Sequence, residues 1–179
     1  MSVASRNVGS ARIELVVGDI TLQDTGAIVN AANNQLSPGG GVSGAIHRKA
    51  GPGLWAECRE LGGCATGDAK LTKGYDLKAK YVIHTVGPVY HGSPENPLQL
   101  ESSYHSSMQV ALQNGIKSIA FPSISTGIFG YPVAEAAAIA LKTVRDFLTA
   151  HPRVELVRFV LFSEPDFKIY RDVMDELFR

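Results

Sequence analysis

The chain has 179 residues, of which 45% are apolar, and its 17 Lys and Arg residues balance 17 Asp and Glu residues. This length predicts a single domain with a substantial core, and the neutral balance argues against the broad basic surface that duplex nucleic acid or an anionic membrane requires. A ligand the size of a nucleotide is not excluded, since it needs only a local pocket.

Residues 1–11 are polar and are predicted to form a flexible N-terminal tail, and residues 12–179 are predicted to form the single domain. The tail has no apolar core typical of a secretory signal, and no stretch of the chain is long enough to span a bilayer. The two cysteines, Cys58 and Cys64, fit neither a disulfide framework nor a metal-ligand spacing. We therefore expect two ordinary thiols, no metal and a reducing, cytoplasmic location.

Residues 12–17 carry an apolar side chain at every second position, which predicts a strand that ends at Gly18. Asp19 follows at the strand end. A carboxylate there can be a simple turn former, and it can also accept a hydrogen bond from an exocyclic amine of a ligand. The local sequence leaves both interpretations open.

A glycine-rich loop at residues 30–44 follows a short apolar strand and precedes a helix predicted over residues 44–50. Consecutive glycines let the backbone approach a ligand closely, and the first N–H groups of a helix attract anions. Asn30 and Asn33 add donors and acceptors suited to sugar hydroxyls. The spacing matches neither the dinucleotide nor the P-loop fingerprint, so the residues alone leave open a phosphate-binding loop and a structural turn.

The remaining elements follow from apolar periodicity and from the positions of glycine and proline. Helices are predicted over residues 53–61, 97–114 and 132–149 and again after Ser163, and strands over residues 27–30, 67–72, 81–86, 118–122 and 153–162. His84 lies inside an apolar strand. A lone histidine in such a run is more often a hydrogen-bonded core residue than a catalytic one.

A second polar loop, residues 123–131, bears glycines and lies, like the first, between a strand and a helix. The alternation of strands and helices predicts a three-layer α/β/α domain with a mostly parallel sheet. Ligands of such sheets bind beyond the carboxyl ends of the strands. Both loops, Asp19 and Phe162 are predicted at that edge, which indicates one binding site.

Five motifs in order make the sequence recognisable: GDI at residues 18–20, NAAN at 30–33, GGGVSGAIH at 39–47, YVIHTVGP at 81–88 and FPSISTGIFGYP at 121–132. The chain resembles a macrodomain, and more closely the MacroD type, from about residue 13 to the C terminus. The resemblance implies an α/β/α sandwich around a six-stranded mixed, mostly parallel sheet. It also implies ADP-ribose as the ligand, with hydrolysis of ADP-ribose from acidic protein side chains or deacetylation of O-acetyl-ADP-ribose as the activity.

The resemblance assigns ligand contacts by position. Asp19 would accept from the adenine amino group, the Ile20 backbone would support the same ring, and Phe162 would pack on it. Phe129 would lie against the distal ribose, which Asn33 would hydrogen bond and orient. Neutral backbone donors would wrap the diphosphate from two sides, without net positive charge. They belong to Gly39, Gly40, Gly41 and Val42 in the first loop and to Ser125, Thr126, Gly127, Ile128 and Gly130 in the second.

One position departs from the family pattern. MacroD-type members usually have Asp where this chain has Ser43, and that Asp is assigned to positioning or activating the attacking water. An unperturbed serine is no base at neutral pH, and loss of a general base typically costs about 10²–10⁴-fold in rate. Archaeal and viral members with a small residue there include active hydrolases, in which the substrate phosphate and loop backbone are thought to hold the water. His47, one helical turn later, is a further base candidate, although such a histidine more often packs or caps locally.

The primary hypothesis is a hydrolase that removes mono-ADP-ribose from protein carboxylates without a metal or cofactor. Its catalytic set is Asn33, Gly40, Gly41, Ser43 and Phe129, and Ser43 also counts among the ligand-binding residues. A reader that binds ADP-ribose without turnover and an O-acetyl-ADP-ribose deacetylase are the alternatives. A nucleic-acid binder would need a basic groove with stacking aromatics and is not expected. We expect a monomer whose partners are ADP-ribose or mono-ADP-ribosylated proteins.

Overall fold

The computed structural model describes residues 2–179. Seven strands and five α helices occur in these residues, joined by short 3₁₀ turns at Ile20–Leu22 and Arg59–Leu61. The strands are β1 (Val3–Val8), β2 (Ala11–Val17), β3 (Ala27–Ala31), β4 (Ala69–Lys73), β5 (Tyr81–Thr85), β6 (Ser118–Phe121) and β7 (Leu156–Leu161). The helices are α1 (Gly41–Ala50), α2 (Pro52–Cys58), α3 (Glu95–Gln113), α4 (Val133–Ala150) and α5 (Glu164–Leu177).

All seven strands form one mixed sheet in the order β1-β2-β7-β6-β3-β5-β4. The five central strands, from β2 to β5, are parallel to one another. The two edge strands run the other way, since β1 pairs antiparallel with β2 and β4 pairs antiparallel with β5. The carboxyl ends of five neighbouring strands therefore meet at one edge of the sheet.

Helices cover both faces of the sheet, which confirms the predicted three-layer arrangement. Alternate residues of β3 face opposite sides, because Val29 lies in the core cluster that includes α3, α4 and α5, whereas Ile28 lies in the cluster that includes α1 and α2. Both side chains are fully buried. Such a strand, buried on both faces, is typical of a parallel sheet and explains the continuous apolar run in the sequence.

The prediction of a six-stranded sheet is wrong, because residues 3–8, within the predicted N-terminal tail, form a seventh strand. Val3–Val8 forms β1, which pairs residue by residue with β2 after a tight turn at Gly9, where φ is +60°. Arg6 also forms an ion pair with Asp175 of α5. An edge strand is held mainly by backbone hydrogen bonds and leaves its other groups in solvent, so it needs no apolar run that a sequence pattern could reveal.

The α5 helix begins as its sequence predicts. The Ser163 side chain caps it by accepting a hydrogen bond from the Asp166 N–H at 3.3 Å. The helix packs its buried aromatic residues against β7, the strand that carries Phe162 at its end. Among residues 2–179, no helix is both long and apolar enough to cross a membrane.

Candidate functional site

The predicted site residues lie beyond the carboxyl ends of four neighbouring parallel strands, in the loops that follow them and in the first turn of α1. Across the sheet these are the loop with Asp19 after β2, Phe162 after β7, residues 123–131 after β6 and residues 32–40 after β3. The loop after β5 completes the row. The chain order of these segments differs from their spatial order, and the sheet topology brings them together at one edge of the sheet; we call the space between these loops the crevice.

The β2 end of the crevice carries Asp19, Ile20 and Phe162. The Gly18 N–H donates to the Leu161 carbonyl at 3.1 Å, which joins the end of β2 to the end of β7. Phe162 is 92% exposed, so it is not the core residue that a strand-end aromatic usually is. A large apolar ring held open beside a binding crevice is suited to stacking on a planar ligand.

Asp19 is a turn former in this structure, and it also keeps an acceptor free for a ligand. Its Oδ1 accepts from the Thr21 N–H at 2.9 Å and from the Thr21 hydroxyl at 2.7 Å, so it caps the short turn that follows. Both bonds use Oδ1. The second carboxylate oxygen, Oδ2, of this exposed residue can face a ligand amine, and the two interpretations of the sequence are therefore compatible.

The α1 helix begins inside the glycine run, at Gly41, and not at Gly44 as the sequence predicts. Gly40 is its N-cap, and the Gly44 N–H donates to the Gly40 carbonyl at 3.2 Å. A side chain at Gly44 would collide with the Gly39 carbonyl oxygen, so a glycine is needed for the loop to fold back on the helix. The helix therefore points the N–H groups of its first turn at the crevice, which favours an anion there.

Asn33 organises the loop between β3 and α1. Its Nδ2 donates to the Ser37 carbonyl and hydroxyl, both at 3.1 Å, and its Oδ1 accepts from the Ser37 N–H at 3.0 Å. The residue is half-buried, and its amide lies beside Gly39. Asn33 thus fixes the approach to the glycine run, and a hydrogen bond from its amide to a ligand hydroxyl would replace or share one of its bonds to Ser37.

The loop after β6 is held in a strained shape. Ser125 is 6% exposed and has φ at +68°, a left-handed conformation that is uncommon for residues other than glycine. The Tyr131 N–H donates to the Ser125 carbonyl at 2.9 Å and closes the loop, while Gly127, Ile128 and Gly130 stay exposed. Backbone strain of this kind concentrates at binding sites, where the surrounding structure maintains it.

The loop after β5 is the part of the site that the sequence analysis missed. A Cβ at Gly87 would collide with the Ser125 hydroxyl, so the β5 and β6 loops touch there. Further along, the Tyr90 N–H donates to the Phe129 carbonyl at 2.8 Å. Because β5 and β6 flank β3, these two contacts join their loops across the end of β3. The only sequence signal was the Gly87-Pro88 pair, which marks the end of the strand.

Buried polar atoms without a partner occur in three of the elements that border the crevice. Within residues 2–179 they are Asn30 Oδ1, Ser43 Oγ, Ser125 Oγ and both ring nitrogens of His47. An unsatisfied buried polar group typically costs about 1–3 kcal/mol, and such groups in a folded protein often mark functional sites. All four residues belong to β3, α1 or the β6 loop, the elements that flank the predicted diphosphate position.

Ser43 and His47 do not form a hydrogen-bonded pair, although they lie one turn apart on α1. Neither the serine hydroxyl nor the ring nitrogens has a partner in the described part of the chain. Burial lowers the pKa of His47 below its ordinary value of 6.5, which keeps the ring neutral and makes it a weaker base. The geometry gives no activated serine nucleophile of the kind that a neighbouring base produces.

His84 is a hydrogen-bonded core residue, as the sequence predicts. It is fully buried, with Asn30 Nδ2 at 3.1 Å from its Nδ1 and Thr72 Oγ1 at 2.9 Å from its Nε2. Burial and the neighbouring His47 lower the pKa of His84 to about 3. The two free thiols are also inert, since burial raises the pKa of Cys58 to about 11 and raises that of Cys64.

The buried neutral His84 predicts a loss of stability in mild acid. The unfolded chain binds a proton at this residue near pH 6.5, whereas the folded chain does so only near pH 3, so the unfolded state binds more protons between these values. The free energy of unfolding is therefore not reduced by His84 above pH 6.5, and it is expected to fall by about 1 kcal/mol for each pH unit below that value. His47 acts in the same direction.

Urea denaturation at pH 7.5, 6 and 5 measures this slope. The His84→Gln variant should show a shallower slope than the wild type. His91→Gln, at an exposed histidine of a surface loop, is the matched control and should leave the slope unchanged. A stability that stays constant from pH 7 to pH 5 would contradict the prediction.

Comparison with known proteins identifies the family. The Macro domain family matches residues 29–140. An O-acetyl-ADP-ribose deacetylase of Cronobacter sakazakii is 51% identical to this chain, and the match covers 93% of this chain and 96% of the relative. An ADP-ribose glycohydrolase MACROD2 of Xenopus laevis is 54% identical over 93% of this chain, which spans 41% of that longer protein. The chain therefore belongs to the macro domain family, and its relatives are of the MacroD type.

The solved structures agree with this assignment. A variant of the Oceanobacillus iheyensis macrodomain with ADPR superposes with a TM-score of 0.96 and 42% sequence identity, and the match covers 99% of each chain. The fold seen here, with its mixed sheet and its helices on both faces, is thus the macrodomain fold. Its crevice offers many neutral backbone donors and an open aromatic ring, a set that suits a diphosphate joined to a base and a sugar.

Proposed function

We propose that this chain binds ADP-ribose in the crevice and hydrolyses mono-ADP-ribose from acidic side chains of proteins. One observation carries the proposal: the loops after neighbouring strands β6 and β3 face the same crevice, with Phe129 on one and Asn33 with the α1 N-terminus on the other. The relatives named as an ADP-ribose glycohydrolase and an O-acetyl-ADP-ribose deacetylase, and the relative solved with ADPR, support the same ligand.

The order of the loops supports one direction for the ligand. Adenine lies at the β2 end, where Asp19 Oδ2 and the Ile20 backbone meet its edge and Phe162 stacks on its face. The diphosphate lies between the two central loops and accepts from their backbone N–H groups, with no charged side chain required. The distal ribose lies between Asn33 and Phe129, where the modified protein would be attached.

Hydrolysis at this position needs a held water and no metal. The water cleaves the ester between the distal ribose and the carboxylate, which yields ADP-ribose and the free acidic side chain. With no carboxylate at position 43, the substrate phosphate and the Gly40 and Gly41 backbone hold the water. Fixing the water and the ester side by side converts a bimolecular step into a nearly unimolecular one, and this preorganisation supplies the rate.

Two alternatives use the same crevice. Deacetylation of O-acetyl-ADP-ribose is favoured by the Cronobacter relative, which carries that name and matches nearly full length. A reader without turnover is favoured by Ser43, which is no base, and by the absence of any hydrogen bond between Ser43 and His47 within residues 2–179. We further propose that the chain acts as a cytoplasmic monomer, in keeping with its two free thiols.

The experiment that tests the proposal is release of labelled ADP-ribose from a protein mono-ADP-ribosylated on glutamate. Release by the wild type supports a hydrolase. O-acetyl-ADP-ribose, assayed in parallel, reports the deacetylase, because both substrates liberate free ADP-ribose and only the leaving acyl group differs. Binding of ADP-ribose without release from either substrate would mark a reader.

Ligand linkage gives a prediction that does not depend on turnover. ADP-ribose at 100 times its dissociation constant should raise the free energy of unfolding by about 2.7 kcal/mol, because it binds only the folded chain. Denaturation with and without ADP-ribose measures the difference, with ribose 5-phosphate as the control ligand. If millimolar ADP-ribose leaves the unfolding midpoint unchanged, the ligand assignment fails.

A further inference from the structure

The loop after β5 contacts the Phe129 loop but has no part in the proposed ligand contacts. The Tyr90 N–H donates to the Phe129 carbonyl at 2.8 Å, and the Tyr90 ring packs on Tyr131 with ring centroids 4.8 Å apart. Phe129 has exposed neighbours in Ile128 and Gly130. The hydrogen bond from Tyr90 thus restrains the Phe129 backbone through a residue that belongs to a different loop.

Asn96 fixes this β5 loop in place. It lies in the first turn of α3, is 3% exposed and contacts the loop through both ends of its amide. Its Oδ1 accepts from the His91 N–H at 2.8 Å and from the Ser93 N–H at 3.4 Å, and its Nδ2 donates to the Val89 carbonyl at 3.3 Å. A buried amide can provide a donor and an acceptor at once, and aliphatic residues can provide neither.

The same helix also holds the start of the β6 loop. The hydroxyl of Tyr104, a fully buried residue of α3, accepts from the Ile124 N–H at 3.1 Å. The α3 helix therefore reaches the β6 loop at two points, directly at Ile124 and through Asn96 and the β5 loop at Phe129. The loop between these points carries the strained Ser125.

We propose that Asn96 is a positioning residue that sets the position of Phe129 against the distal ribose, acting through the Val89–Tyr90 backbone. The inference rests on the proposed function, because it assigns the ribose to Phe129. A misplacement of about 1 Å at a site residue can cost 10²-fold in rate. Asn96 itself touches no part of the predicted ligand.

The variants Asn96→Ala and Asn96→Asp test this role. Asn114→Ala is the matched control, since Asn114 lies at the other end of α3 and its Nδ2 also bonds a backbone carbonyl, that of Val110 at 2.8 Å. Asn96→Ala should lower kcat for ADP-ribose release about tenfold or more. Asn96→Asp keeps the acceptor for the His91 and Ser93 N–H groups but loses the Nδ2 donor to the Val89 carbonyl, so it should lose activity as well.

Binding of ADP and ADP-ribose separates positioning from general damage. ADP lacks the distal ribose, so Asn96→Ala should weaken ADP-ribose binding several-fold and leave ADP binding unchanged. An equal loss for both ligands would overturn the proposal, because a merely structural defect affects the whole crevice. Wild-type kinetics in Asn96→Ala would overturn it as well.

Hydrogen exchange at the Tyr90 amide tests the coupling without any ligand. The Tyr90 N–H is bonded to Phe129, so Asn96→Ala should speed its exchange by tenfold or more, and Asn114→Ala should not. If the wild type neither binds nor releases ADP-ribose, the proposed function fails, and faster exchange would still support the mechanical link. Unchanged exchange at Tyr90 overturns the inference whatever the activity.

Discussion

Replacing Asn33 with alanine is expected to lower the release of ADP-ribose by about 10²-fold. Two effects combine in this variant. The distal ribose loses the amide that orients it, and the loop loses its bonds to Ser37, which place the glycine run at the α1 N-terminus. A small displacement of a positioned substrate is enough for a loss of this size.

Single-turnover release from a glutamate-modified protein measures the effect on chemistry. Asn34→Ala is the matched control, because Asn34 is the adjacent asparagine, is exposed, and donates its Nδ2 to the Cys64 carbonyl at 3.0 Å. Asn34→Ala should retain near wild-type release. If Asn33→Ala releases ADP-ribose as fast as the wild type, Asn33 does not position the ribose.

Replacing Ser43 with aspartate is expected to raise the rate of release by about 10²–10⁴-fold, the usual contribution of a general base. Position 43 lies in the first turn of α1, where the helix dipole stabilises a carboxylate. Ser43 is also one turn before His47, whose ring nitrogens have no partner among residues 2–179, so an aspartate there gains a neighbour that can donate to it.

Ser43→Asn is the control that separates charge from shape, since asparagine has the size of aspartate but cannot act as a base. It should show no gain. A wild type that binds ADP-ribose without release, together with an active Ser43→Asp, would mark the chain as a reader derived from an enzyme. An unchanged rate in Ser43→Asp would mean that the backbone and the substrate phosphate already hold the water as well as a carboxylate can.

The elements that bury apolar residues could be predicted from the sequence. The β3 and β5 strands are continuous apolar runs, and the buried face of α4 recurs at helical spacing, so their positions differ from the prediction by only one or two residues. The alternation of strands and helices also placed Asp19 and Phe162 at one edge of the sheet. For the two strands and for α4, the physical signal is burial, because buried positions are occupied by apolar residue types.

The elements held by the backbone could not be predicted in this way. The β1 strand pairs through main-chain groups, and the α1 helix begins within three glycines whose low helix propensity hides its start. Asn96 bonds residues only three to seven positions away in the β5 loop, but the bond from Tyr90 of that loop to Phe129 joins segments more than 30 residues apart, and the residue types involved are ordinary loop residues. Only the three-dimensional arrangement shows what such residues contact.

The spacing of the loops along the sheet edge also sets the length of the ligand that can contact them. Neighbouring strands lie about 4.8 Å apart, so the four intervals from β2 to β5 span about 19 Å. A ligand that engages both Asp19, after β2, and Asn33, after β3, must extend over three of these intervals, about 14 Å. We therefore expect the crevice to distinguish ligands by their length as well as by their chemistry, so that a neutral chain could discriminate among anions that a basic patch would bind alike.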